Sequence, residues 1–438
     1  DSVASRGLGD VYKRQPESVR DRRLVGDMVT ASSRGKISRF PAKAVDFAFM
    51  KPEHLIDVNT STIPFLSHNN GTRVMTASKM GLQAKPLADG DVPMVQVDSG
   101  EGETIEKAIG SSFSPQSPVD GVVEKVAEDH VVIGGKRVQL PHYFPLNSNN
   151  FMHARATVKV GQRVKKGQVI ADTNYTRDGT LSLGKNLRVA YVPYKGMNVE
   201  DGVVISEDAS AKLSSEHLYQ QSFLFDVDTV MDLKKYRAYF PAKIANDVAA
   251  TLDDQGVIKK GQEVRPGSVL VASMRKHTPT TESQRLAAVS RMLAREFSDN
   301  SLTWDKDVVG VVQEVAKRAS EIVVFVRTRE PARIGDKIVG RYGNKGIIVQ
   351  IIPTADMPRD AGGKSMDLLL NPNGVVSRMN LGQILETTAS RVAEKTGKPF
   401  ALRGFGSESA DVIAAELKKN GLKDHETIHD PVENIDIP

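Results

Sequence analysis

The chain has 438 residues, of which 39% are hydrophobic and 26% are charged. This is the composition of a folded protein with more than one domain, and it excludes a disordered polyelectrolyte. A formal net charge of +5 permits a nucleic-acid partner, and the absence of cysteine excludes disulfides and thiolate zinc sites. No apolar run reaches the roughly 20 residues of a membrane span, so we expect a cytoplasmic location and no membrane partner.

Residues 1–15 show no periodicity that links them to the rest of the chain. They resemble translated adapter sequence and are expected to contribute nothing to the fold. Beyond them the dominant pattern is short β runs separated by glycine, proline and asparagine, as at 187–192, 346–352 and 367–370. Helical periodicity is confined to three clear segments, which are 282–297, 378–396 and 408–419. The predicted fold class is therefore mixed and β-rich, of the α+β type.

An internal repeat is visible in the sequence. Residues 161–171 are repeated at 261–271, and residues 120–127 are repeated at 309–316. Each copy predicts a strand and a hairpin, so we expect two barrel-sandwich units, near 117–172 and 258–328.

Biotinyl and lipoyl carrier domains contain similar hairpins, with a modified lysine at the tip. Lys165 and Lys166 lack the methionine or alanine that usually flanks that lysine, so two packed β units are favoured. A carrier protein remains an alternative.

Two motifs combine an apolar strand with charged residues. In 198–206 the adjacent carboxylates Glu200 and Asp201 precede an apolar strand, although such a pair by itself is usually a solvated turn. The motif 370–386 predicts a strand, a turn and an amphipathic helix, with Ser377 as the helix cap. Arg378 would then lie at the positive end of the helix dipole, where a bound triphosphate would balance both charges.

The segment 333–346 places a cation at every fourth position among four glycines. Glycine disfavours a helix, so this backbone is expected to be extended and looped. The four cations would share one face wherever the strand stays regular, and the glycines would allow a close approach to a phosphate chain. A basic surface hairpin is the alternative interpretation of this segment alone.

These three motifs, together with 63–73 and the following Gln83, resemble in the same order the second-largest (β) subunit of multisubunit DNA-dependent RNA polymerases of bacterial or phage type. The resemblance extends from about Val45 to about Ser390. It implies a double-psi β-barrel catalytic core with flap-like barrel-sandwich units, in a chain cut at both ends, with the C-terminal end before a segment that anchors the largest subunit. The expected divisions are 1–15, adapter-derived; 16–116, hybrid-binding core; 117–208, barrel-sandwich and first half of the catalytic barrel; 209–330, shortened flap; 331–400, second half of the barrel; and 401–438, tail.

The resemblance also implies roles for individual residues. Lys337 and Lys345 would hold phosphates of the RNA 3′ end and the incoming nucleotide, and Arg378 would clamp the triphosphate. Glu200 and Asp201 would approach the second Mg²⁺, mostly through water. Supporting contacts to substrate or nucleic acid are expected from five further residues, which are Arg73, Gln83, Arg333, Arg341 and Asn344.

The tightly bound Mg²⁺ of this family is held by three aspartates of the largest subunit, in a motif that this sequence lacks. Its nearest match, 225–228, is interpreted as a strand with exposed acids, so the isolated chain should not polymerise RNA. Three departures from the family motifs affect loop shape more than charge, and they are Tyr342 for histidine, Val376 for proline, and Asn69-Asn70 for an often acidic pair.

The implied partners are the largest (β′-like) subunit, α-like assembly subunits, a promoter-recognition factor on the flap helix 282–297, template DNA, RNA and nucleoside triphosphates. The function that the resemblance implies is one side of an RNA polymerase active centre. A non-catalytic nucleic-acid-binding β-barrel module is the alternative.

Overall fold

A computed structural model describes residues 11–13, 19–20, 23–48, 56–276, 296–404, 410–423 and 425–437. In these ranges the fold is mixed and strand-rich, which confirms the predicted class. The α-helices in the described ranges are Val58–Ser61, Gly71–Gln83, Ile105–Phe113, Glu207–Lys212, Leu233–Tyr239, Asn246–Thr251, Asn373–Arg378, Leu381–Thr396 and Ala410–Lys419. Short 3₁₀ segments are Ala42–Ala44, Leu66–His68, Asn147–Asn149 and Thr354–Asp356. The predicted helix 282–297 lies outside the described residues except for its last two, and Phe297 begins the strand Phe297–Asp299.

The other two predicted helices are confirmed. Ala410–Lys419 buries Ile413 and Leu417, as the periodicity indicates. Leu381–Thr396, here called the long helix, begins three residues later than predicted, because Met379 has a left-handed backbone conformation with φ of +54°. The helix Gly71–Gln83 was missed, since Ala77 is its one fully buried side chain and it therefore lacks a broad apolar stripe.

A five-stranded sheet, the central sheet, forms the framework of the molecule. Its spatial order is Val189–Tyr191, Leu368–Leu370, Gly202–Ser206, Lys345–Ile352 and Lys337–Val339. The middle strand is parallel to Lys345–Ile352 and antiparallel to Leu368–Leu370. Its side chains Val203, Val204 and Ile205 are at most 2% exposed, as expected for a continuous apolar run that is covered on both faces.

The two repeats adopt the same local structure, which confirms a strand and a hairpin in each copy. In the first unit Val164 pairs with Gly121, and in the second unit Val264 pairs with Gly310. The first unit has the sheet Lys136–Gln139, His130–Ile133, Gly121–Val126 and Arg163–Val164, with the strand pairs Phe144–Pro145/Phe151–Met152, Ala154–Ala156/Ala171–Thr173 and Thr176–Arg177/Thr180–Leu181.

The second unit is inserted in the chain between the central-sheet strands Gly202–Ser206 and Lys337–Val339, which are separated in the sheet by Lys345–Ile352. Its sheet has the order Ser215–Leu224, Glu321–Glu330, Gly310–Lys317 and Glu263–Val264, with Thr229–Val230/Met274–Lys276/Phe297–Asp299 and Val269–Val271/Leu302–Thr303 beside it. The first two strands pair along their whole length, from Ser215 with Glu330 to Leu224 with Glu321. Residues 225–228, predicted as a strand, instead follow Ser215–Leu224 as a loop and turn, although Asp226 and Asp228 are exposed as expected.

The remaining strands form smaller sheets. Lys36–Pro41, Met28–Ser33, Val11–Lys13 and Phe47–Ala48 form one sheet, so three residues of the segment 1–15 pair with the following chain. The strand pairs are Val19–Arg20/Arg23–Leu24, Val95–Asp98/Phe400–Arg403 and Ile428–Asp430/Ile435–Ile437.

The two units meet around a cluster of aromatic rings. His153 of the first unit stacks on Tyr143 at a centroid distance of 4.2 Å, and Arg327 of the second unit lies 5.7 Å from the centre of the Tyr143 ring. Burial lowers the pKa of His153 from 6.5 to about 4, and repulsion from His142, Arg155 and Arg327 adds to this effect.

Truncating the side chain at equivalent core positions of the two repeats should reduce the free energy of unfolding by similar amounts. Ile170 and Leu270 are both 0% exposed, so Ile170→Ala and Leu270→Ala should each cost about 2–5 kcal/mol. Chemical denaturation measures these costs. Lys165→Ala, at the exposed tip of the first hairpin, serves as the control and should stay within about 0.5 kcal/mol of the wild type.

His153 predicts a loss of stability in acid. Between pH 6.5 and about 4 the unfolded chain takes up a proton at this residue that the folded chain resists, so stability falls as the pH falls through this range. Melting temperatures at pH 7.5 and pH 5 test this expectation. The decrease should be smaller in His153→Phe, and an equal decrease in both proteins would contradict it.

Candidate active site

A large cleft of about 1660 Å³ opens above the central sheet. Its lining includes eleven lysines and arginines and eleven aspartates and glutamates, so the cleft as a whole is not strongly positive. Most of these charges form ion pairs within the protein, as Lys212 does with Asp367 at 2.7 Å. Anion binding in the cleft therefore depends on the cations that remain unpaired.

Two of the unpaired cations lie on one β-hairpin, here called the lysine hairpin, which consists of Lys337–Val339 and Lys345–Ile352. Val339 pairs with Lys345 and Lys337 pairs with Ile347, so the two lysines are diagonal neighbours on the same face. Both are exposed, and neither side chain forms a hydrogen bond or ion pair with any residue in the described ranges. The expectation that these two cations face the same way is confirmed.

The other cations of the segment do not share this face, because the strand is interrupted between residues 340 and 344. Arg341 turns inward and donates from Nη2 to the carbonyl oxygen of Val95 at 2.8 Å, and it also pairs with Glu386. Arg333 lies before the hairpin and pairs with Glu330 at 3.5 Å. Asn344 accepts a hydrogen bond from the Tyr342 amide at 3.3 Å and so closes its own turn.

The acidic pair lies in a tight turn next to the lysine hairpin. Glu200 has φ of +52°, a conformation that side chains bearing Cβ rarely adopt and that is concentrated at functional sites. Asn198, 2% exposed, holds this turn: it accepts from the Tyr194 amide at 2.8 Å and donates to the Val192 carbonyl at 2.7 Å. The carbonyl of Asp201 accepts from the Ile347 amide at 2.9 Å, which connects the turn to the hairpin.

Arg378 reaches the same place from the third segment. Its Nη2 lies 2.5 Å from Oδ1 of Asp201, an ion pair that does not have hydrogen-bond geometry. The predicted cap is wrong, because Ser377 lies inside the short helix Asn373–Arg378 and Arg378 is the last residue of that helix. The long helix begins after Asn380, and Asn69 Oδ1 accepts a hydrogen bond from its Gly382 amide at 3.1 Å. A triphosphate site on that helix end is therefore not supported.

The helix Gly71–Gln83 carries the remaining predicted residues. Gln83 is exposed and lines the cleft. Arg73 is half-buried, and its carbonyl approaches Gly343 so closely that a Cβ at residue 343 would lie 2.4 Å from it. This contact packs the turn of the lysine hairpin against the helix.

Three residues that the sequence interpretation did not single out also shape the site. Asn198 belongs to a recognised motif, but only the structure shows its buried amide. Glu386 ends another motif, and Glu106 carries no sequence signal. Burial raises the pKa of Glu106, although Arg341 opposes this effect. Burial by itself would lower the pKa of Arg341, but attraction to Glu386, Tyr342 and Glu106 raises it overall.

With this geometry established, comparison with known sequences identifies the family. Residues 59–432 match the family described as RNA polymerase Rpb2, domain 6, and the chain belongs to this family. It is 34% identical over 428 residues to the DNA-directed RNA polymerase subunit beta of Caldicellulosiruptor saccharolyticus, which covers 91% of this chain. Identity to the Thermus thermophilus subunit beta is 32% over 387 residues, or 83% of this chain. The chain spans 34% of the length of each of these relatives.

The resemblance to the RNA polymerase β subunit is thereby confirmed. In the described part of the chain no helix is long and apolar enough to cross a membrane. The same residues contain no cluster of three or more histidine or acidic side chains that could hold a metal ion.

Gly346 is expected to be the position of the site that tolerates an added side chain least. A Cβ at this residue would lie 2.3 Å from Cγ2 of Val203 and 2.8 Å from the carbonyl oxygen of Asp201. Gly346→Ala should therefore cost about 1–3 kcal/mol in the free energy of unfolding, measured by chemical denaturation. Gly71→Ala, at a helix start with open space around its Cα, is the matched control and should cost nothing. Equal losses from the two variants would contradict the close approach.

Proposed function

We propose that this chain forms one side of an RNA polymerase active centre. The lysine hairpin would bind phosphates of the incoming nucleoside triphosphate and of the RNA 3′ end, and Arg378 would contact the triphosphate. Family membership supports this proposal. The observation that carries it is the convergence of two unpaired lysines with the Asp201–Arg378 pair at one end of the central sheet.

The Asp201–Arg378 pair is complementary to a Mg²⁺-bound triphosphate. The ligand presents a cation beside an anion, and the protein presents an anion beside a cation. Asp201 Oδ1 is buried against Arg378 Nη2, so Asp201 would contact a further ligand through its other carboxylate oxygen or by giving up part of this ion pair. Asp201, with Glu200 next to it, would approach the second Mg²⁺, an ion that prefers carboxylate and water oxygens. When bound, Mg²⁺ neutralises charge that develops on the phosphates.

The main metal site would belong to the largest subunit, with which this chain would assemble. Glu200 and Asp201 alone cannot enclose an ion. The acids at 225–228 would take no part in binding the metal, since Asp226 pairs with Arg275 at 2.9 Å on the surface. The isolated chain should therefore be inactive. Arg73 and Gln83 would contact RNA or template strands, whereas the buried contacts of Arg341 leave it fewer donors for a ligand. The arrangement of the chain as a double-psi barrel with a flap is part of this proposal, as are α-like subunits and a promoter-recognition factor.

The test is RNA synthesis by this chain co-expressed with a largest subunit that carries the aspartate triad. Lys337→Ala combined with Lys345→Ala removes two charge-assisted phosphate contacts and should lower kcat/KM for nucleotide addition about 100-fold or more. The same variant should reduce the salt dependence of RNA–DNA hybrid binding. The slope of the logarithm of the binding constant against the logarithm of the salt concentration should become smaller in magnitude by about two.

Lys364→Ala is the matched control, because this lysine also lines the cleft but is already paired with Glu394 at 3.2 Å. It should leave both measurements unchanged. Failure to form a complex, or a complex whose RNA synthesis does not respond to the double variant, would favour a non-catalytic binding module.

A further inference from the structure

The turn of the lysine hairpin, residues 340–344, is held in the protein interior by the apolar packing of Tyr342, which is 2% exposed, and by the polar contacts of Arg341. The guanidinium of Arg341 is 26% exposed and has acceptors on two sides. Nη2 donates to the Val95 carbonyl at 2.8 Å and to Glu386. Nη1 faces the Thr62 carbonyl at 3.3 Å and Glu106 at 3.5 Å.

These four acceptors belong to separate segments. Thr62 precedes the helix Gly71–Gln83, Val95 begins a strand, Glu106 lies in the helix Ile105–Phe113, and Glu386 lies in the long helix. Glu106 is itself fixed, since it is 1% exposed and accepts a hydrogen bond from the Val97 amide at 3.0 Å. Arg341 thus joins the turn to a framework whose parts are positioned independently of the hairpin.

The charges make this contact difficult to replace. Glu106 and Glu386 are close enough to repel each other, and Arg341 carries the positive charge between them. Removing that charge would leave two carboxylates uncompensated in a largely buried site. Lysine would keep the charge, but its side chain has a single nitrogen. It therefore cannot donate at the same time to the acceptors on both sides that the planar guanidinium of arginine reaches.

The positions of the two lysines depend on how the backbone of the hairpin is held. Lys337 and Lys345 make no side-chain hydrogen bond or ion pair there, so their positions follow the backbone. Lys337–Val339 is a three-residue strand at the edge of the central sheet and pairs on one side only. Its position is set by its partner strand and by the turn, in which Tyr342 supplies the apolar contact and Arg341 the polar contacts.

We propose that Arg341 is a positioning residue, which holds the turn of the lysine hairpin against Glu106 and Glu386 and thereby sets where Lys337 and Lys345 lie. The structural part of this inference is independent of the proposed function. Its consequence for RNA synthesis rests on that function.

The experiment compares Arg341→Lys with Arg391→Lys in the full chain. Arg391 is a matched control, since it is 23% exposed, pairs with Glu426 and donates to the Lys423 carbonyl at 2.6 Å, but lies on the long helix away from the hairpin. Hydrogen exchange of the amides of residues 337–347 should accelerate about tenfold or more in Arg341→Lys and stay unchanged in Arg391→Lys. Glu386→Gln, a milder change at a partly exposed partner, should accelerate the same amides and serves if Arg341→Lys does not fold.

RNA synthesis in the complex with the largest subunit is the second measurement. Faster hairpin exchange together with a raised KM for nucleotide in Arg341→Lys supports the inference. Unchanged exchange in both Arg341→Lys and Glu386→Gln overturns it, whatever the activity. Faster exchange with unchanged RNA synthesis leaves Arg341 as the anchor and instead contradicts the proposed role of the lysines.

Discussion

The parallel pairing of Gly202–Ser206 with Lys345–Ile352 is the constraint on which the site depends. Gly346 permits it, because the backbone there lies so close to Asp201 and Val203 that no Cβ fits between them. This contact brings an acidic turn and a basic hairpin to the same end of one sheet. The strand Leu368–Leu370, on the other side of Gly202–Ser206, leads into the helix that ends with Arg378, so all three charged segments derive their positions from one strand.

The cations of the cleft differ in whether they form ion pairs within the protein, and this difference matters more than the number of charges. Arg341 is held by two carboxylates and two carbonyls, and Arg378 is held by Asp201. Lys337 and Lys345 have no such partners in the described chain. The proposed phosphate ligand would therefore meet a small area of unpaired positive charge in surroundings whose charges are balanced, which would favour local recognition of phosphate over general attraction to any acidic surface.

Much of this arrangement could be predicted from sequence, for reasons that differ between elements. The strands at 346–352 and 367–370 are apolar runs bounded by turn residues, and the helix after residue 408 has a regular period. The ordered motifs identified the family and most of the charged residues. The side to which Arg341 points could not be predicted, since that depends on a turn that interrupts the strand. The cap of the long helix was also beyond prediction, because it comes from Asn69 in a remote part of the chain. Local patterns specify elements, whereas contacts between distant segments decide what each side chain does.

The inserted second unit has a consequence for how the site assembles. Its first and last strands, Ser215–Leu224 and Glu321–Glu330, form an unbroken antiparallel ladder of ten residues on each side. Once this ladder has formed, the chain ends on either side of the unit lie together, and the two parallel strands of the central sheet are separated by a short effective loop rather than by the whole insertion. Formation of the insertion therefore lowers the entropic cost of pairing the strands of the central sheet. Units of different length at this point of the chain can therefore be accommodated without changing the geometry of the lysines and acids.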